Sequence, residues 1–443
     1  MPATAPAIAD LLIHARWVIP VTAGDPVLDH HSVVVRDGRI VDLLPQADAR
    51  QRWSARETIT LPTHALIPGL VNLHVHAAMT LMRGLADDLP LMEWLETAIW
   101  PAEARHISFD FVRAGSQIAA AEMLRGGITT CNEMYFYPEA AAEAFHTAGL
   151  RAMVGIIAVE SPTPYAAHPD AYLRQGLAAR ETWHAPPQLG FALAPHAPYT
   201  VSDSTFERIA ALAAELDCPI HIHVHESAPE VSDAIARTGE RPLARLARLG
   251  LLSQQFIGVH AVHVNELDLE LLARHNCSVA HCPSSNMKLA SGIAPVTQML
   301  KAGINIGLGT DGAASNNRLD LFEEMRQAAL LAKVASGDAT TVPAHTALRM
   351  ATLNGARALG WDDHIGSIET GKLADLCAVD LNSIETRPCF DPVSHLVYVA
   401  GRQHVSHVWT GGCLRIRDGE AMLQNSNSEL IGLSSLWQTR IKS

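Results

Sequence analysis

Eight short apolar stretches that read as strands, amphipathic helical stretches between most of them, and a short-turned β-rich segment at each end predict an α/β chain. Eight β/α units in one continuous run is the arithmetic of a (β/α)8 TIM-type barrel, here with a small β-sandwich domain built from both chain ends. A length of 443 residues accommodates that barrel and one accessory domain. The boundaries expected are 1–67 for the N-terminal part of the small domain, 68–365 for the barrel, and 366–443 for the C-terminal part and a tail.

In chain order, Leu11–Ile19, Ser32–Val35 and Arg39–Leu44 read as strands, with Asp37-Gly38 as a hairpin turn between the last two. The barrel strands are expected at Val71–His76, Thr129–Met134, Arg151–Val159, Leu189–Ala194, Pro219–His225, Phe256–Val262, Cys277–Cys282 and Ile304–Gly309. Helical periodicity marks Phe111–Arg125, Pro138–Ala148, Asp203–Leu216 and Val296–Ala302 among the connections. No Gly-x-Gly-x-x-Gly turn follows the first barrel strand, which weakens the open-sheet, dinucleotide-binding alternative. Beyond Gly366 short strands return at Ala374–Val379, His395–Val399, His407–Trp409 and Cys413–Ile416. From Asn425 the chain is Ser-rich and reads as a loose tail.

A formal charge of −13 argues against a nucleic-acid partner, whose backbone needs a basic face. The seven cysteines contain no Cys-x-x-Cys pair, which fits a reducing compartment. Met1–Asp10 lacks a basic segment followed by an apolar one, and no apolar run reaches the roughly 18 residues that span a bilayer. The expectation is a soluble, cytoplasmic protein with no membrane partner.

Chemistry in such a barrel sits at the C-terminal ends of the strands. His74 and His76 end strand one on a shared face. Strand five carries His221, His223 and His225 on one face, followed at once by Glu226; strand six carries His260, and strand eight ends in Asp311. His196 ends strand four and His281 lies in strand seven. Imidazoles and a carboxylate gathered at one rim suit a zinc-like ion, which takes three or four such ligands and leaves a position open for water. Strand five alone does not say which of its histidines binds, although His221 lies deepest and is the weakest candidate. Competing motifs are missing: His225-Glu226 lacks the second histidine of a His-Glu-x-x-His helix, and there is no Walker loop or Gly-x-Ser-x-Gly elbow.

The run Pro68-Gly-Leu-Val-Asn-Leu-His74-x-His76, then His223-x-x-Glu226, His260 and Gly-Thr-Asp311-Gly, resembles the amidohydrolase superfamily. Gly366-Ser-Ile-Glu-Thr-Gly-Lys-Leu-Ala-Asp375 resembles that superfamily's re-entry into the small domain. Residues 77–89, Trp100-Pro-Ala-Glu103 and Ser284-Ser-Asn-Met-Lys-Leu289 are similar to the methylthioadenosine and S-adenosylhomocysteine deaminases, in the branch that includes triazine chlorohydrolases. The resemblance implies one Zn2+ per subunit held by His74, His76, His223 and Asp311. The superfamily's binuclear members use a strand-four lysine, and strand four here has none. It further implies Asp311 as proton acceptor from the attacking water, His260 as that water's hydrogen-bonding partner, and Glu226 as proton donor to the purine N1. Glu226 and Asp311 would thereby touch substrate too. Glu103 would accept from both ribose hydroxyls and His196 would contact the nucleoside, while Trp94, Trp100, Met79 and Met82 would line an apolar pocket. The implied activity is hydrolytic deamination of 5′-methylthioadenosine, with adenosine and S-adenosylhomocysteine as related substrates, by a homo-oligomer of two or more chains. After strand three, 155–165 holds no Arg for a homocysteine carboxylate, which favours the smaller substrates. The alternatives are a guanine or pterin deaminase, a triazine-type chlorohydrolase with the same mononuclear site, or a non-catalytic metal-holding scaffold.

Overall fold

Alternation and burial fix the small domain first. In the computed structural model, which describes residues 6–442, β1 (Ala7–Val18) has both faces covered. Leu11, Ile13, Ala15 and Val18 enter one apolar core, while Ala9 and Leu12 pack against Ala49 of the helix Gln46–Arg52. β2 (Leu28–Arg36) and β3 (Arg39–Pro45) follow as an antiparallel ribbon on β1, and β4 (Trp53–Pro68) runs parallel to β1 on its other side. The polar alternation of residues 54–63 hid β4 from the periodicity reading, yet this strand joins the two chain ends. Its last five residues pair with β13 (Leu376–Asp380). β14 (Val405–Thr410), β15 (Cys413–Arg417) and β16 (Glu420–Ala421) complete an eight-stranded sheet in the order β16-β15-β14-β13-β4-β1-β2-β3.

The barrel runs in sequence order: β5 (Leu70–Val75), β6 (Ile128–Glu133), β7 (Arg151–Ala158), β8 (Leu189–Pro195), β9 (Ile220–Val224), β10 (Phe256–His260), β11 (Ser278–His281) and β12 (Asn305–Leu308), each parallel to the next. Closure between β12 and β5 relies on polar groups. Asn72 accepts from Thr310 N at 2.9 Å and donates to Thr310 Oγ1 at 2.8 Å, and Asp311 N donates to His74 O at 3.0 Å. The seam of the barrel is therefore also the floor of the histidine cluster.

Two expectations for the C-terminal region are corrected. His395–Val399 is not a strand but part of the helix Pro392–Tyr398. Asp391 Oδ1 caps it by accepting from Val393 N at 2.9 Å, Pro392 starts it, and Val393, Leu396 and Val397 bury one helical stripe. A short apolar run is equivocal between the two periods, and the cap decides it. The expected loose tail is the helix Asn427–Lys442. Leu430 and Trp437 are its buried residues, and Trp437 packs edge-on to Phe111 with ring centres 5.2 Å apart, a contact worth about 0.5–1.5 kcal/mol beyond area burial. Among the described residues no helix is long and apolar enough to cross a membrane.

Candidate active site

Three imidazoles and one carboxylate converge where β5, β9 and β12 end. His74 Nε2 lies 3.2 Å from His223 Nε2 and 3.3 Å from Asp311 Oδ1, and His76 Nε2 lies 3.3 Å from the same oxygen. Each histidine is oriented by its other nitrogen. His223 Nδ1 donates to the backbone oxygen of His196 at 2.7 Å, and His76 Nδ1 to that of Met134. His74 Nδ1 faces His221 Nε2 at 2.9 Å. With the protons on Nδ1, the three Nε2 lone pairs all point at one spot. Burial, with like-charge neighbours, pushes His74 down to about 3 and lowers His76 and His223, so the rings are neutral near pH 7. Burial opposes ionisation of Asp311, but the His74 ring beside it and the imidazoles of His76 and His260 outweigh it and hold the carboxyl well below its usual range.

Unprotonated nitrogens facing one another at 3.2 Å repel unless a cation lies between them. Ligands about 2.0–2.1 Å from a common ion at a tetrahedral angle sit about 3.4 Å apart, so these separations fit one zinc-sized ion. The ring nitrogens of His260 also come within 4.8 Å of those of His74 and His223. His260 is held by Asn286, whose Oδ1 is 2.9 Å from its Nδ1, and its Nε2 is 3.7 Å from Glu226 Oε2. It thus stands between the ligand cluster and the carboxyl group.

Strand five distributes its histidines among three tasks. His221 backs His74 and His223 faces the cluster. His225 does not share their face: β9 ends at Val224, and a φ of 55° at His225 turns the chain. Its Nε2 accepts from Leu243 N at 3.1 Å, which fastens the next helical segment. Two backbone N–H groups, of His225 and Glu226, donate to the Glu230 carboxylate at 2.9 and 2.8 Å and fix the place from which Glu226 projects. Burial raises the Glu226 pKa, and the Asp311 charge adds to this while His260 opposes it.

A single cavity of about 380 Å³ joins His76, His223, Glu226, His260 and Asp311 to Glu103, His196, Trp94, Trp100 and Met79. Met82, expected in the pocket, is instead packed in the core behind it. Glu103 projects from the helix Trp100–His106 and accepts from Tyr135 Oη at 2.7 Å; burial, partly offset by that bond, pushes its pKa up to about 7. His196 reaches the cavity with its side chain while its Nδ1 lies 3.0 Å from Thr200 Oγ1. No Arg or Lys lines this cavity among the described residues.

Sequence reasoning missed the residues that hold these groups. Tyr135 positions Glu103, and Glu133 accepts from Ala77 N at 2.9 Å directly after His76. Ser285 and Ser315 donate to Asp311 Oδ2 at 2.6 and 2.8 Å. Ser227-x-x-Glu230 carried the spacing of a capping box, which would have exposed Glu230. Ser285 and Asn286 lie inside the quoted 284–289 stretch, but nothing local says what they touch.

The sequence profile of the amidohydrolase family matches residues 65–415. A 5-methylthioadenosine/S-adenosylhomocysteine deaminase of Saccharophagus degradans is 44% identical over 434 residues, 98% of this chain and 97% of that one. The crystal structure of an adenosine deaminase from Xanthomonas campestris with bound zinc superposes with a TM-score of 0.97 at 47% identity, covering 99% of this chain and 100% of the other. Atrazine chlorohydrolase from Arthrobacter aurescens, at 24% identity and a TM-score of 0.90, shares the fold over 97% of this chain and 100% of its own.

Proposed function

The chain belongs to the amidohydrolase family, and from that premise we propose that it is a zinc-dependent hydrolytic deaminase turning 5′-methylthioadenosine into its inosine analogue and ammonia. One observation carries the reading. One cavity is lined by His76, His223 and Asp311 of the cluster, by Glu226 and His260, and by Glu103, which supports metal, proton donor and ribose acceptor sharing one substrate.

The ion, when bound by these four residues, supplies Lewis acidity that brings the pKa of water towards neutrality. Asp311 is placed to accept a proton from the attacking water, and His260 to hold that water by a hydrogen bond. As the oxygen bonds to C6 of adenine, electron density moves onto N1. Burial raises the Glu226 pKa, which favours the protonated form that would donate to N1. Proton transfer to the amino group then lets the C6–N bond break and ammonia leave, and the ring keeps the new C6 oxygen. In the same cavity Glu103, with Tyr135 bonded to one oxygen, offers acceptors to the vicinal ribose hydroxyls.

Glu103 separates nucleosides from free bases. In Glu103→Ala, KM for 5′-methylthioadenosine should rise about 10²-fold through loss of two bonds to a charged group, while any guanine or triazine turnover stays unchanged. In the parent protein KM for the nucleoside should fall as pH rises through about 7, because the ionised carboxylate is the better acceptor. Glu103→Gln flattens that profile. Steady-state kinetics across pH, followed by the adenine-to-hypoxanthine absorbance change, measures both. An unchanged KM in the alanine variant would favour a free-base deaminase instead.

The absence of Arg and Lys from the lining points away from the amino-acid tail of S-adenosylhomocysteine and towards a 5′-methylthio group against Trp94 and Trp100. A missing charged hydrogen-bond partner is worth about tenfold in binding. kcat/KM for 5′-methylthioadenosine should exceed that for S-adenosylhomocysteine by at least about that factor, and equal values would overturn the preference. Assembly as a dimer or larger homo-oligomer belongs to the same reading. So does a cytoplasmic location, supported by the five free cysteines buried in the fold.

A further inference from the structure

At the opposite end of the barrel from the histidine cluster, a second cavity of about 340 Å³ lies between the barrel and the small domain. Three arginines line it: Arg39 and Arg415 from the sheet, and Arg151 from the start of β7. Arg151 is neutralised by Asp375, with contacts of 2.9 and 3.3 Å. The other two face no carboxylate within 4.0 Å among the described residues. Arg39 gives one bond, from Nη1 to Gly371 O at 2.8 Å. Arg415 gives Nε to Thr410 Oγ1 at 2.7 Å, which leaves both terminal nitrogens unspent. Its guanidinium also packs closely on the backbone. A Cβ on Gly149 would sit 2.2 Å from Arg415 Cζ, so the guanidinium packs against a glycine in the left-handed region (φ 71°), where a side chain is disfavoured and has no room. Trp361 and His364 form the barrel-side wall. In a chain of net charge −13, one concavity thus holds two guanidinium groups, of exposed Arg39 and half-buried Arg415, that no carboxylate compensates.

We propose that this cavity binds a phosphoryl group, either free phosphate or the phosphate of a small ester whose organic part rests on Trp361. Planar forks match phosphate oxygens in pairs. A ligand that bridged Arg39 and Arg415 of the small domain and Trp361 of the barrel would clamp the two together. The site is independent of the deaminase reading.

Isothermal titration of the zinc-loaded full chain with inorganic phosphate and with phenyl phosphate, at constant ionic strength set by chloride, tests it. Saturable one-to-one binding is expected. Exposed Arg39→Ala should weaken it about tenfold, as should Arg415→Lys, which keeps charge and packing but loses the fork. Tighter binding of the ester, lost in Trp361→Ala, identifies an ester site; equal binding identifies free phosphate. No saturable heat, or binding unchanged in both arginine variants, overturns the proposal, since phosphate held at the metal cluster would persist in both.

Discussion

Glu226→Gln is expected to lower kcat for 5′-methylthioadenosine by about 10²–10⁴-fold, the usual contribution of a positioned proton donor. KM and zinc content should stay close to those of the parent. The carboxyl group lies 3.7 Å from His260 Nε2 and is presented by a backbone that Glu230 pins through two N–H groups. Glutamine has the same shape and fills the same space, so the variant should bind nucleoside normally. What it cannot do is carry a proton to N1 and pass it to the departing amine. The pH dependence gives a second readout. Burial holds the Glu226 carboxyl above its ordinary range, so in the parent kcat should fall as pH rises past that elevated value and the donor loses its proton. In the glutamine variant that descending limb should vanish along with most of the rate. A kcat within about threefold of the parent would remove Glu226 from proton transfer and leave it as a packing group.

Much of this arrangement was legible in the chain because barrel geometry converts sequence position into spatial position. A residue that ends a parallel strand lies at one rim, so strand order alone gathers His74, His76, His223, His260 and Asp311. Side-chain alternation along β9 put His221 and His223 on one face. The same rule failed at His225, where a positive φ ends the strand one residue early and sends the ring to the neighbouring helix. Residues that act through contacts across strands were illegible for a different reason. Tyr135 is 32 residues from Glu103, and Glu133 is 56 from Ala77; each matters only through the partner that the fold delivers. The C-terminal helix was hidden by composition, since its serines mask the 430, 433, 437, 441 stripe that packs on the barrel.

The ligand cluster supplies the other large effect. In His223→Ala, zinc should drop from about one equivalent to below about a tenth after dialysis, and deaminase activity should fall to background. Removing a group that merely hydrogen-bonds a ligand costs about 10–100-fold in metal affinity, and this change removes a donor itself. It leaves three of the four assigned ligands and takes away the nitrogen that lies 3.2 Å from His74 Nε2. The contrasting variant is His196→Ala. His196 orients His223 through its backbone oxygen, at 2.7 Å from Nδ1, and alanine retains that oxygen. Metal content should therefore survive in His196→Ala while the affinity for nucleoside weakens, because only the side chain that reaches the cavity is lost. Metal analysis beside steady-state kinetics on the two variants separates the roles. If His223→Ala kept its zinc, His74, His76 and Asp311 would suffice to hold the ion and His223 would drop out of the assignment.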